Sequence, residues 1–94
     1  MELKDTTHYM TSSNYKERFI AEYWQAKIRY DKLKKFCDKI ETAQLMNSLK
    51  YPEPEHDCPL ELLRQQHYFM GKYLHVLELR AIIECVNVDD IEIE

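Results

Sequence analysis

Residues 15–36 read YKERFIAEYWQAKIRYDKLKKF, and the spacing of their apolar side chains decides the fold. Phe19, Tyr23, Ala26, Tyr30 and Leu33 recur at steps of 4, 3, 4 and 3, and Cys37 and Ile40 continue the series. Such a seam belongs to a helix packed along its whole length against another helix. Thr11, Ser12, Ser13 and Asn14 precede it, all capping residue types, and Asn14 with Glu17 three residues on has the form of a capping box. Neither Gly nor Pro interrupts the chain until Pro52. A helix is therefore expected over residues 14–48, roughly 50 Å at about 1.5 Å per residue.

The run KYPEPEHDCP then breaks the helix, because Pro52, Pro54 and Pro59 disfavour helical backbone at the residue before each. Pro59 also suits the first turn of a second helix, with Asp57 or Cys58 as its cap and Glu61 near its positive end. That helix is expected over residues 59–86, with a seam of Leu60, Leu63, His67, Met70, Leu74, Leu77 and Ala81. Two long helices joined by a short turn pack antiparallel. The expected fold is all-α: one helical-hairpin domain over residues 1–94, with an N-terminal segment at 1–13 and an acidic C-terminal tail at 87–94.

One hairpin seam leaves apolar residues over. Leu62, Gln66, Phe69, Tyr73, Val76, Arg80 and Ile83 form a second series on another face of the second helix. Ile20, Trp24 and Ile28 lie one above another, away from the main seam of the first. Exposed together they would make a large apolar patch. The N-terminal segment, through Tyr9 and Met10, is expected to fold over part of it, and copies of the chain are expected to associate into a homo-oligomer.

Composition narrows the function. No stretch of about 18 apolar residues is present to cross a membrane, and the first residues hold no apolar leader core. Cys37, Cys58 and Cys85 are odd in number and show no CxxC spacing, which fits reduced thiols in a cytoplasmic protein. The histidines His8, His56, His67 and His75 have no metal-ligand spacing, and Gly71 is the single glycine, so no phosphate-cradling loop exists. Neither an enzyme, a cofactor nor a metal is expected. The net charge of −4 is divided: residues 16–39 hold eight Lys and Arg against four acids, while residues 40–94 hold four against eleven. The first helix is thus a basic element on an acidic protein, suited to a small anion but not to double-stranded nucleic acid, which the overall acidity would repel.

The aromatic surplus beside those cations suggests what the anion is. Bases stack on rings and phosphates pair with Lys and Arg, so Trp and Tyr interleaved with cations suit a nucleotide. The candidate ligand residues are Trp24, Lys27, Arg29 and Lys34 on the first helix and Tyr68, Gly71, Lys72 and Tyr73 on the second. Lys27, Arg29, Lys34 and Lys72 would meet phosphate; Trp24, Tyr68 and Tyr73 would stack or enclose. Gly71, costing about 1 kcal/mol inside a helix relative to Ala, marks close approach by another backbone or by a ligand.

The runs KERFIAEYWQAKIRYDKL (16–33), CPLELL (58–63) and MGKYLHVLELRAIIE (70–84) resemble small proteins of tailed bacteriophages and prophages, grouped as crAss-phage-related small proteins. The resemblance covers roughly residues 16–84. It implies a phage-encoded helical hairpin in the cytoplasm of a host bacterium, similar in architecture to sponges that sequester cyclic oligonucleotide or cyclic ADP-ribose immune signals without cleaving them. The alternative is a phage inhibitor that binds a host defence protein directly, through the aromatic face or by DNA mimicry with the acidic tail.

Overall fold

A computed structural model describes residues 2–46 and 52–89, and every regular element in them is helical. A 3-10 turn at Leu3–Thr6 runs into a short helix α1 (Thr7–Met10), followed by two long helices, α2 (Tyr15–Met46) and α3 (Leu60–Ile83). The long pair packs against itself, and both N-terminal elements pack on α2. The molecule measures 50 × 27 × 20 Å, so α2 spans its length. Positions 47 and 48 of the expected first helix, and 90–94 of the expected tail, lie outside the described residues.

Each boundary has a local cause. Asn14 starts α2: its Oδ1 accepts from the Lys16 N–H at 2.9 Å, and its carbonyl accepts from Glu17 and Arg18. Such a cap contributes about 1 kcal/mol. For α3 the expectation needs correcting. Pro59 itself occupies the cap position, with φ −59° and ψ 144° and no side-chain cap bond. Its carbonyl receives the Leu62 and Leu63 N–H groups, so the helix begins one residue late, at Leu60. It also ends early. After Ile83 the chain enters Cys85 at φ 57°, the Val86 N–H reaches back to the Ala81 carbonyl at 2.8 Å, and the Cys85 N–H to Ile82. This is a Schellman closure with a cysteine where glycine usually stands. Val86, the residue past the turn, is buried.

The main core lies between the first half of α2 and the last half of α3: Phe19, Ile20, Tyr23, Leu74, Leu77, Ala81 and Val86, with Trp24, Ala26, Tyr30 and Val88 against it. Cys37, Ile40 and Ala43 continue the buried seam of α2 beyond it. Ion pairs tie the same end, where Arg64 on α3 bridges Asp38 at 3.1 Å and Glu41 at 2.9 Å on α2.

The two surplus stripes meet different fates. Ile20 and Ile28 are buried and Trp24 is half-buried. The N-terminal elements pack on this helix, the buried Thr6 receives a hydrogen bond from Gln25 at 3.1 Å, and the chain after α3 returns so that the Val88 carbonyl accepts from the Trp24 indole at 2.6 Å. The stripe on α3 stays open. Leu62, Phe69, Val76 and Ile83 are 55%, 63%, 52% and 79% exposed.

Candidate functional site

Three concavities can be compared by what lines them. One lies on the segment before α3, lined by Glu53, Pro54, Glu55, His56 and Asp57. Its three acidic side chains make it a poor site for an anion. A second, between the chain ends and the start of α2, is lined by His8, Tyr9, Asn14, Lys16, Glu17, Ile20, Cys85, Val86 and Asn87, a mixed set. The third is a trough of about 680 Å³ along α3, lined by Tyr30, His67, Tyr68, Gly71, Lys72, His75 and Val76. No carboxylate lines it, on a protein of net charge −4. Its volume falls in the range of small-molecule sites, roughly 300–1,000 Å³.

Helical spacing builds this trough. His67, Gly71 and His75 are four apart, as are Tyr68, Lys72 and Val76, so two ladders run side by side on α3. Tyr30 reaches across from α2. Its ring stacks on His67 with centroids 4.4 Å apart and planes at 17°. A Cβ at position 71 would sit 3.2 Å from Tyr30 Cε2, so glycine is what lets the ring lie against α3. The close approach at Gly71 is therefore made by a tyrosine ring, where another backbone or a ligand was expected. Lys72 Nζ sits 4.8 Å from the centroid of Tyr68, and Lys27 Nζ 5.6 Å from that of Tyr30. Both are within cation–π range.

One atom in the trough wall lacks a partner. His67 Nε2 is buried and makes no hydrogen bond, alone in this among side-chain atoms of the described residues. An unpaired buried polar group costs about 1–3 kcal/mol. Native structures hold few of these, and each calls for an explanation, an ordered water or a bound group among them.

The other candidate residues fall elsewhere. Tyr68, Gly71 and Lys72 share the trough; Trp24, Lys27, Arg29, Lys34 and Tyr73 do not line it. The Trp24 indole N–H is used on Val88, and its ring stands edge-on to Tyr23 at 5.5 Å. Lys27 pairs with Asp31 at 3.1 Å and Lys34 with Asp38 at 2.8 Å, each one turn ahead on α2. The bond to Asp38 raises the Lys34 pKa. Arg29 is exposed on the outer side of α2. Tyr73 donates to the Glu22 carboxylate across the hairpin, and that bond, followed by burial, pushes its hydroxyl up to about 12. The lining residues absent from the sequence-based set are Tyr30, His67, His75 and Val76. The four-residue ladders through Gly71 and through Lys72 were the signal for three of them, His67, His75 and Val76.

The consecutive residues His56, Asp57 and Cys58 bring an imidazole, a carboxylate and a thiol together in sequence, but not as a site. The imidazole meets Glu53 Oε1 at 2.8 Å and the Cys58 carbonyl, not its sulfur, at 2.7 Å. Both contacts favour the protonated ring, Glu53 first, and raise its pKa. Burial pushes the Cys37 thiol up, away from thiolate. Among the described residues no group of three or more His, Cys, Asp or Glu is placed to hold a metal ion, and no helix is long and apolar enough to cross a membrane.

A family model described as Sequestin matches residues 13–83, a span that takes in α2, α3 and every residue of the trough. No curated protein and no solved structure matches the chain.

Proposed function

The chain belongs to the Sequestin family, and from that premise we propose that it binds a small anionic nucleotide signal, of the cyclic oligonucleotide or cyclic ADP-ribose type, and holds it away from its receptor without cleaving it. The family description is compatible with sequestering a molecule. The observation that carries the nucleotide reading is the trough: it joins rings, the Lys72 cation and an unpaired buried nitrogen, and no carboxylate lines it. Tyr30 and Tyr68 offer faces for a base, while Lys72 offers positive charge for phosphate and His75 a ring nitrogen to hydrogen-bond it. Sequestration requires tight binding alone, so residues that bind and enclose are sufficient. The same proposal places the protein in a bacterial cytoplasm, produced by a bacteriophage to deplete a signal of host defence.

Thermal melting in the presence of nucleotides tests the reading. A ligand that binds only the folded state stabilises it by RT ln(1 + [L]/Kd), about 2.7 kcal/mol at a hundredfold excess over Kd. For a chain of this size that raises Tm by roughly 10–20 °C. Lys72→Ala should remove most of the shift while leaving the unliganded Tm within a few degrees, because an exposed cation over a ring contributes little, about 0.5–1 kcal/mol. No shift across cyclic dinucleotides, cyclic trinucleotides and cyclic ADP-ribose isomers, together with specific capture of one host protein, would replace this reading with direct inhibition of that protein.

A further inference from the structure

We propose that Lys27 is the second phosphate-binding cation of the trough, held at its rim by Asp31 until an anionic ligand takes the place of that carboxylate. This rests on the nucleotide reading above and adds to it a positioning residue, Asp31, which sets how readily the cation is given up.

Charge counting motivates the assignment. Among the described residues that line the trough, Lys72 is the only lysine or arginine. Cyclic oligonucleotides and cyclic ADP-ribose carry two phosphate groups or more, each able to accept a charge-assisted hydrogen bond. A single lining cation leaves the second phosphate without a partner.

Helical spacing puts Lys27 beside that gap. Tyr30 and Asp31 follow it by three and four residues, so both stand one turn further along the same side of α2. The ammonium reaches both: Nζ lies 3.1 Å from Asp31 Oδ1 and 5.6 Å from the centroid of the Tyr30 ring. Tyr30 is the part of the trough wall that α2 supplies, and its ring stacks on His67. Lys27 therefore sits at the α2 rim with its charge turned to a carboxylate.

That ion pair is one that can be exchanged. Its side chains are 36% and 48% exposed, and exposed pairs contribute little to folding. Asp31 makes no other ion pair among the described residues. The next pair along α2 differs. Asp38 meets Lys34 at 2.8 Å and Arg64 at 3.1 Å, and Arg64 continues to Glu41, so Lys34 belongs to the network that ties α3 to α2. Freeing Lys34 would loosen the hairpin, whereas freeing Lys27 breaks one local bond. Asp31 acts through Lys27: it orients the ammonium at the rim and is what a phosphate must displace.

Calorimetric titration with cyclic di-AMP, cyclic tri-AMP and cyclic ADP-ribose tests this in the wild type, Asp31→Asn, Lys27→Gln and the double variant. Neither residue is buried or lines the trough, so all four proteins should melt within a few degrees of one another. For the probe that binds, Asp31→Asn should tighten binding about threefold, the order of one exposed ion pair. Lys27→Gln should weaken it about tenfold, the loss of one charge-assisted hydrogen bond. In the Lys27→Gln background the Asp31→Asn gain should vanish, because the aspartate has no lysine left to act through. A gain of the same size in both backgrounds, or unchanged affinity in Lys27→Gln, would overturn the exchange and leave the nucleotide reading standing. A wild type that binds none of the three probes would overturn the nucleotide reading, and the exchange with it.

Discussion

Replacing Cys85 by glycine should stabilise the protein, and the size of the gain follows from the turn that ends α3. Cys85 holds φ 57°, a left-handed conformation that costs an L side chain about 1–2 kcal/mol. Glycine removes that cost but loses about 0.5–1 kcal/mol more conformational entropy on folding. The difference is a net gain of roughly 0.5–1 kcal/mol. Little else changes: Cys85 is exposed, and the bonds from its own N–H and from Val86 are made by the backbone. At about 4–8 °C per kcal/mol for a chain of this size, Tm should rise by roughly 2–8 °C. Cys85→Ala is the control, since alanine removes the sulfur but keeps the Cβ and its strain. Thermal melts followed by circular dichroism at 222 nm, under reducing conditions, compare the three proteins. Equal melting of the glycine and alanine variants would show that backbone strain at the turn is not what limits it.

Other perturbations have equally definite outcomes. Leu77→Ala, at a position only 1% exposed, should cost about 2–5 kcal/mol in chemical denaturation and lower Tm accordingly. Gly71→Ala should change stability by less than about 1 kcal/mol, because the helix-propensity gain of about 1 kcal/mol opposes the displacement of Tyr30 from its 3.2 Å approach. The same variant should weaken nucleotide binding in calorimetry, since the ring must move within the trough. His56 has its pKa raised in the folded state by Glu53 and the Cys58 carbonyl. Its contribution is therefore fully present below the ordinary histidine value, about 6.5, and is lost as pH rises through the raised one. The Tm difference between wild type and His56→Gln should accordingly shrink between mildly acidic and alkaline pH; a difference that grows would refute the pairing.

The periodic part of the fold was legible because a helix repeats its environment every three or four residues. The seam from Phe19 to Ile40 and that from Leu63 to Ala81 could be written down from spacing alone, as could the surplus stripe on α3. Chain reversals were harder to read. Nothing in the sequence near Trp24 shows that its indole will meet a carbonyl at Val88, 64 residues later. The ring therefore looked available for a ligand when it anchors the chain beyond α3. Cys85 gave no sign of a left-handed turn, because glycine is the usual marker of one. The ion pairs of Lys27 and Lys34 did have a local signal, Asp31 and Asp38 four residues on. Gly71 was legible as a point of close approach, but Tyr30 as the approaching ring depends on the register between two helices, which local pattern does not set. His67 looked like core for the same reason: it lies on the seam, and its stacked ring and unpaired Nε2 emerge only when α2 is laid against it.

The central claim is that the chain holds an intact small nucleotide in the trough along α3. Native mass spectrometry of protein isolated from bacteria with active nucleotide signalling tests it most directly, with the bound species released by heat and weighed. The account predicts a released mass equal to an uncleaved cyclic nucleotide, absent when the protein carries Lys72→Ala. A protein that emerges empty from such cells, or that returns a hydrolysed product, would contradict it.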